Sequence, residues 1–324
     1  MTDGRTLAGR RRTFEARSSH SFEIAVEAPV YSDRRGLIEY RAAGDRGKPT
    51  VVLLHGLGSS SAGYRAQLAG LSRDFHAVAW NAPGFGASSQ IDAQDVSIDH
   101  YADALEAFVR ALRVERLAAL VGSSWGSVIA VAFTKRYPQH VGGLVLSAPN
   151  AAKGRMTGEA RDAELDAWLR TADISIPVSR AAIAERLLAP EAPAMVRALV
   201  ERLRDAMTTG GWRQAIRSLF TIYTPDVIPA IKRPVVVLSG ALDRVALTPS
   251  MQNASSPQRP GSSRVGSTTA VTFSSSKRLP NSIQWFARWP NKTFTVLKCR
   301  NIRKGRLKCR LSISNGRTLS VTSC

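Results

Sequence analysis

Ser124 stands at the centre of Gly122-Ser123-Ser124-Trp125-Gly126, a G-x-S-x-G pattern set between an apolar run of strand length and a helical run. On so tight a strand-to-helix turn the hydroxyl projects clear of the backbone, placed to attack a carbonyl carbon. The N–H of the next residue, Trp125, falls at the helix start, aimed at a developing oxyanion. The flanking glycines let the crowded turn form without a Cβ clash. The chemistry this pattern points to is acyl transfer through a covalent serine intermediate. Such a serine needs a base for its proton, ordinarily an imidazole. The last histidine of this chain is His140.

Several elements must position that turn. Residues 117–121 read as its strand, and residues 127–137 as its helix, stopped by Pro138. Residues 50–54 form a continuous apolar run, the pattern of a strand covered on both faces, and lead into His55-Gly56-Leu57-Gly58. A helical stretch at 64–71, a strand at 75–80 and the turn-rich Asn81-Ala82-Pro83-Gly84-Phe85-Gly86 follow. A helix at 101–112 and a strand at 143–147 bracket the serine turn. Upstream, alternation in residues 22–26 and 37–41 predicts two antiparallel strands. Strands alternating with helices imply a mostly parallel, doubly wound α/β sheet with helices on both faces. The alternation lapses from 151 to 230, where helices are predicted at 159–171, 180–188, 194–207 and 212–220. It resumes with Pro234-Val-Val-Val-Leu238 and Gly240-Ala241-Leu242-Asp243.

Four motifs in this order resemble the α/β-hydrolase fold superfamily, and within it the capped serine hydrolases: carboxylesterases, enol-lactonases and carbon–carbon bond hydrolases. They are His55-Gly56-Leu57-Gly58, Asn81–Ser88, Gly122–Gly126 and Gly240–Asp243, and the resemblance covers residues 20–248. It implies that Ser124 is the nucleophile and Asp243 the acid of the triad. It implies an oxyanion hole made by the backbone N–H groups of Leu57 and Trp125, and a helical cap over residues 151–230. It implies a small-molecule carbonyl substrate, with no cofactor and no metal. Two departures stand out. Asn81 replaces the usual aspartate, and where the histidine should follow Asp243 the chain reads Ser267-Thr-Thr-Ala-Val-Thr-Phe273. His55 is expected to brace the oxyanion loop rather than act as base.

The 324 residues carry a net charge of +20, unevenly spread. Residues 251–324 hold 14 Lys and Arg and no Asp or Glu; alanine goes from 41 in the first 250 residues to 3 in these 74, and serine from 20 in the first 250 to 13 in these 74. A segment without one acidic residue departs from ordinary solvent-facing composition, where both signs are mixed. The chain therefore divides into a tail at 1–20, a core at 21–150, a cap at 151–230, a strand with the acid loop at 231–250, and a basic, irregular tail at 251–324. The last strand and helix of the fold are expected to be missing, leaving the sheet edge beyond 234–238 exposed. A reading frame lost near codon 250 accounts for the composition change, the absent acids and the missing histidine together. Two alternatives are a non-catalytic ligand-binding protein on the same fold, and nucleic-acid binding through the basic run at 298–310. No run approaches a membrane span or a secretory signal, so a cytoplasmic protein is expected. Cys299, Cys309 and Cys324 lack zinc-site spacing, and their odd number argues against a disulfide framework.

Overall fold

The computed structural model describes residues 30–31, 36–173, 182, 184–188, 192–240, 268–273, 294–302, 306–313 and 318–322. The expected tail at 1–20, the strand at 22–26 and Asp243 with its loop lie outside the described residues. A short antiparallel pair opens the described chain, β1 (Val30–Tyr31) against β2 (Leu37–Ile38).

The main sheet has seven strands. In chain order they are β3 (Tyr40–Ala43), β4 (Thr50–Leu54), β5 (His76–Trp80), β6 (Ala119–Ser123), β7 (Leu144–Ser147), β8 (Val235–Gly240) and β9 (Thr268–Phe273). In space the order is β3-β5-β4-β6-β7-β8-β9. Only β3 runs antiparallel to its neighbour; every other pairing is parallel. Every residue of β4 and β5 is buried, as their unbroken apolar runs require. Alternate residues serve opposite faces. Val52 and Leu54 join the larger core with Tyr101, Phe108 and Phe133, while Val51 and Leu53 join the smaller one with Leu68 and Leu71. Each such fully buried side chain contributes about 1.5–3 kcal/mol relative to exposure.

Three helices cover the sheet: α1 (Arg65–Leu71), α2 (Ile98–Ala111) and α3 (Trp125–Arg136). Ten consecutive residues of α3, Trp125 to Thr134, are buried, so it is packed all round rather than along one stripe. The excursion at 151–230 is helical, with α4 (Gly158–Arg170), α5 (Ala194–Leu203) and α6 (Thr209–Ser218). Residues 194–207 are not one helix as expected. The α-helix ends at Leu203 and a 3-10 turn, Arg204–Ala206, brings Met207 into an antiparallel bridge with Phe85.

The expectation of a missing last strand is corrected. Thr268–Phe273 runs parallel to β8 in an unbroken register from Val235↔Thr268 to Gly240↔Phe273. An open strand edge offers a row of backbone donors and acceptors that a β-branched segment satisfies whatever its charge. Much of the segment 251–324, expected to be irregular, lies outside the described residues. Three strands, β10 (Phe294–Ile302), β11 (Arg306–Ile313) and β12 (Thr318–Thr322), form an antiparallel sheet, its last two flanking Asn315-Gly316. Among the described residues no helix follows β8.

Candidate active site

The sheet order reverses between β4 and β6. From β4 the chain moves outward to β5, then returns to the other side of β4 as β6. Loops leaving adjacent parallel strands in opposite directions open a crevice at their carboxyl ends, the usual ligand position in such sheets. β4 ends there in His55-Gly56-Leu57-Gly58, and β6 ends in Ser124, with Leu54 and Gly122 in register.

Ser124 has φ 50° and ψ −114°, a left-handed conformation that a non-glycine residue adopts only under constraint. Its neighbours supply that constraint. The Ser124 N–H donates to Ser147 O at 2.9 Å, and Ser124 O accepts from Ser127 N–H at 2.9 Å. The Ser127 hydroxyl also donates to Ser124 O and accepts from Asn150 N–H at 3.1 Å. The two outer glycines of the pentapeptide are required by close approach. A Cβ on Gly122 would lie 2.3 Å from Gly126 O, and one on Gly126 would lie 2.2 Å from Leu54 O.

The oxyanion loop abuts this turn. A Cβ on Gly56 would lie 3.2 Å from the Ser124 Cβ. Leu57 follows it, half-buried against the larger core, and Trp125 is fully buried. Trp125 packs edge-on to Tyr101 at 4.8 Å, and its indole N–H donates to Ser218 Oγ at 3.0 Å. Ser124, Trp125 and the Gly56–Leu57 loop are therefore one neighbourhood; Asp243 lies outside the described residues.

His55 is committed on both sides of its ring. Nδ1 bonds Gly56 O at 3.0 Å, and Nε2 accepts the Ala82 N–H at 3.0 Å. That fixes the tautomer with its proton on Nδ1. Burial pulls this imidazole down from 6.5 to about 4, against a smaller upward pull from the Gly56 bond. At neutral pH it is uncharged, its nitrogens holding two loops together. The other described histidines are occupied too: His76 with the Thr50 hydroxyl, His100 with Ser97 N–H and His140 with Glu115 O.

The same geometry sets a pH response. The unfolded chain takes up a proton at His55 near pH 6.5, whereas the folded chain resists until about pH 4. The stability that the neutral ring contributes is complete above pH 6.5 and is lost as pH falls through that window, by about 3 kcal/mol. Urea denaturation at intervals from pH 7 to pH 4 should show this loss, and His55→Gln should flatten that part of the curve. Equal slopes in the two proteins would mean that His55 keeps a solvated pKa.

Two positions, Arg204 and Ser218, were not visible from motifs. Arg204 is buried, its guanidinium 4.6 Å over the Trp212 ring, and a Cβ on Gly58 would meet its Nη1 at 2.3 Å. Burial, and secondarily the charge of Arg186, lowers its pKa. Ser218 ties α6 to Trp125. Asn81, the departure from the family pattern, has its own account. Its Oδ1 accepts the Ser61 N–H at 2.7 Å while its Nδ2 donates to Glu39 Oε2 at 2.7 Å. An aspartate would keep the first bond and replace the second with carboxylate repulsion. No local pattern marks Arg204 or Ser218, because Gly58 and Trp125, which they meet, lie far away in sequence.

Among the described residues no group of His, Cys, Asp and Glu is fit to hold a metal, and no helix is long and apolar enough to cross a membrane.

The family model described as alpha/beta hydrolase fold matches residues 49–256. A hydrolase of Paraburkholderia phymatum, named for 2-hydroxy-6-oxononadienedioate and 2-hydroxy-6-oxononatrienedioate, is 39% identical over 104 residues, 31% of this chain and 36% of that protein. An uncharacterised hydrolase of Saccharomyces cerevisiae is 30% identical over 112 residues, 35% of this chain and 38% of that protein. The matched part thus spans little more than a third of either curated relative. The solved structure of a thermophilic esterase from Thermogutta terrifontis superimposes with a TM-score of 0.62 at 20% identity, over 82% of this chain and 89% of that one. With the family model spanning well over half of its length, the chain belongs to the alpha/beta hydrolase fold family.

Proposed function

We propose that the crevice beyond β4 and β6 is a serine-hydrolase site for a small ester, lactone or ketone, with Ser124 as nucleophile. The observation that carries this is the constrained backbone of Ser124, φ 50° in a G-x-S-x-G turn at the point where the strand order reverses. In this reading Ser124 Oγ attacks the carbonyl carbon, and the N–H groups of Leu57 and Trp125 hold the oxyanion. Collapse expels the leaving group and leaves an acyl-enzyme, which water then cleaves. Asp243 would orient the imidazole that shuttles the proton. The helices of 151–230 act as the cap. Support comes from Arg204 and Trp212 packing on Gly58 of the oxyanion loop. The Paraburkholderia relative's named substrates, both oxo-dioates, add a carbonyl acid to the candidates. A cytoplasmic setting belongs to the same reading.

In this reading the chain as written lacks the C-terminal imidazole that would shuttle the proton. No histidine follows His140, and the four described histidines are held in structural bonds. The family match ends at residue 256, close to where the composition changes, which supports a reading frame lost near codon 250. A fluorophosphonate probe, which needs an activated serine, should label Ser124 slowly, and Ser124→Ala should abolish the label. Rapid stoichiometric labelling would show that another group serves as base. The binding-only reading draws on the same committed histidines and predicts no labelling at all.

A further inference from the structure

The strands β10 and β11 pair antiparallel with Cys299 opposite Cys309. Residues directly opposite in an antiparallel pair share one face of the sheet. Their Cα atoms are about 4.5 Å apart at a position without ladder bonds and about 5.5 Å apart at one with them. Both spacings fall inside the range of about 4.4–6.8 Å that a disulfide spans. The register either side of the pair is continuous, from Leu297↔Leu311 to Ile302↔Arg306, so no bulge offsets the two cysteines. The third cysteine, Cys324, lies beyond β12, which ends at Thr322.

We propose that Cys299 and Cys309 are a disulfide-forming pair, an oxidation site that closes the β10–β11 hairpin covalently. The odd cysteine count, which argued against a disulfide framework, is resolved by register: two cysteines pair and Cys324 stays a thiol. The oxidant is a small-molecule disulfide of the glutathione type. One cysteine thiolate attacks it, forming a mixed disulfide and releasing one glutathione thiolate. The second cysteine thiolate then attacks the protein sulfur and releases the other. Two protein thiols thus lose two electrons and two protons, and one oxidised glutathione becomes two reduced ones. Seven cationic residues lie between or beside the two positions in sequence, Lys298, Arg300, Arg303, Lys304, Arg306, Lys308 and Arg310, and nearby positive charge favours the thiolate form through which the exchange runs.

The test uses the full chain, incubated in oxidised and reduced glutathione, quenched with a maleimide and run without reductant to isolate the monomer. Chymotrypsin, cutting after Leu297, Leu307 and Leu311, should release peptides 298–307 and 308–311 joined by one disulfide, with the maleimide on Cys324. Chain statistics alone favour the shorter 299–309 loop over the 309–324 loop only about twofold. The native chain should exceed this, with the 299–309 link at least tenfold over either link to Cys324. In guanidinium chloride the ratio should fall to the twofold level. Cys324→Ser should leave the link intact, whereas Cys309→Ser should keep both remaining thiols reactive. A native ratio no higher than in guanidinium chloride, or three reactive thiols under oxidising glutathione, would overturn the proposal.

Discussion

Under the proposed loss of frame near codon 250, a chain in which the frame is restored, so that a histidine follows Asp243, should hydrolyse a p-nitrophenyl ester about 10⁴–10⁶-fold faster than the chain as written. The reason lies in what is already assembled. Ser124 is held in its strained turn by Ser147, Ser127 and Asn150, and the Gly56–Leu57 loop abuts it. On the proposed reading, carbonyl binding and oxyanion stabilisation need no repair, and what remains to be supplied is the proton shuttle. His55 cannot stand in, because freeing Nε2 would strip the Ala82 N–H of its buried acceptor. In the restored protein, Ser124→Ala should drop turnover to the level of the chain as written. Rates within tenfold of each other before and after restoration would place the base elsewhere.

Replacing Trp125 by alanine should cost about 3–5 kcal/mol of stability. This indole is fully buried among Tyr101, Phe85 and His55, with ring centroids at 4.8, 5.5 and 6.1 Å. Truncation would open a cavity against three rigid rings and leave Ser218 Oγ without its donor from Trp125. Trp125→Phe keeps most of the volume and should cost about 1–2 kcal/mol, chiefly for the lost hydrogen bond. Both variants retain the backbone N–H at position 125, so the pair separates packing from oxyanion chemistry. Urea midpoints of the two variants report the difference, and a loss under 1 kcal/mol in Trp125→Ala would mean that the neighbouring rings collapse into the space.

The central sheet was readable because its strands are buried on both faces, which leaves unbroken apolar runs at 50–54 and 76–80 with turn residues at each end. The serine turn was readable because close backbone approach admits only glycine at 122 and 126. The last strand was not, since its pairing depends on an edge supplied by β8 rather than on its own pattern. The same holds for the break after Leu203, which answers to a bridge between Phe85 and Met207, more than 100 residues apart in sequence. Asn81 looked like a lapse from the family pattern until Glu39, 42 residues away, supplied the reason for an amide.

The contacts of residues 206–211 with the loop at 84–86 have a mechanical consequence. Gly86 N–H donates to Ala206 O, Thr208 Oγ1 donates to Gly84 O at 2.8 Å, and a Cβ on Gly211 would meet Gly84 O at 2.0 Å. The helical excursion is thus clamped near its middle onto the 84–86 loop, while Lys153 N–H to Leu219 O, Gly154 N–H to Ile222 O and Thr224 N–H to Ala151 O tie its two ends to each other. Fastened in this way, the excursion should move least beside the Phe85–Met207 bridge, where backbone meets backbone.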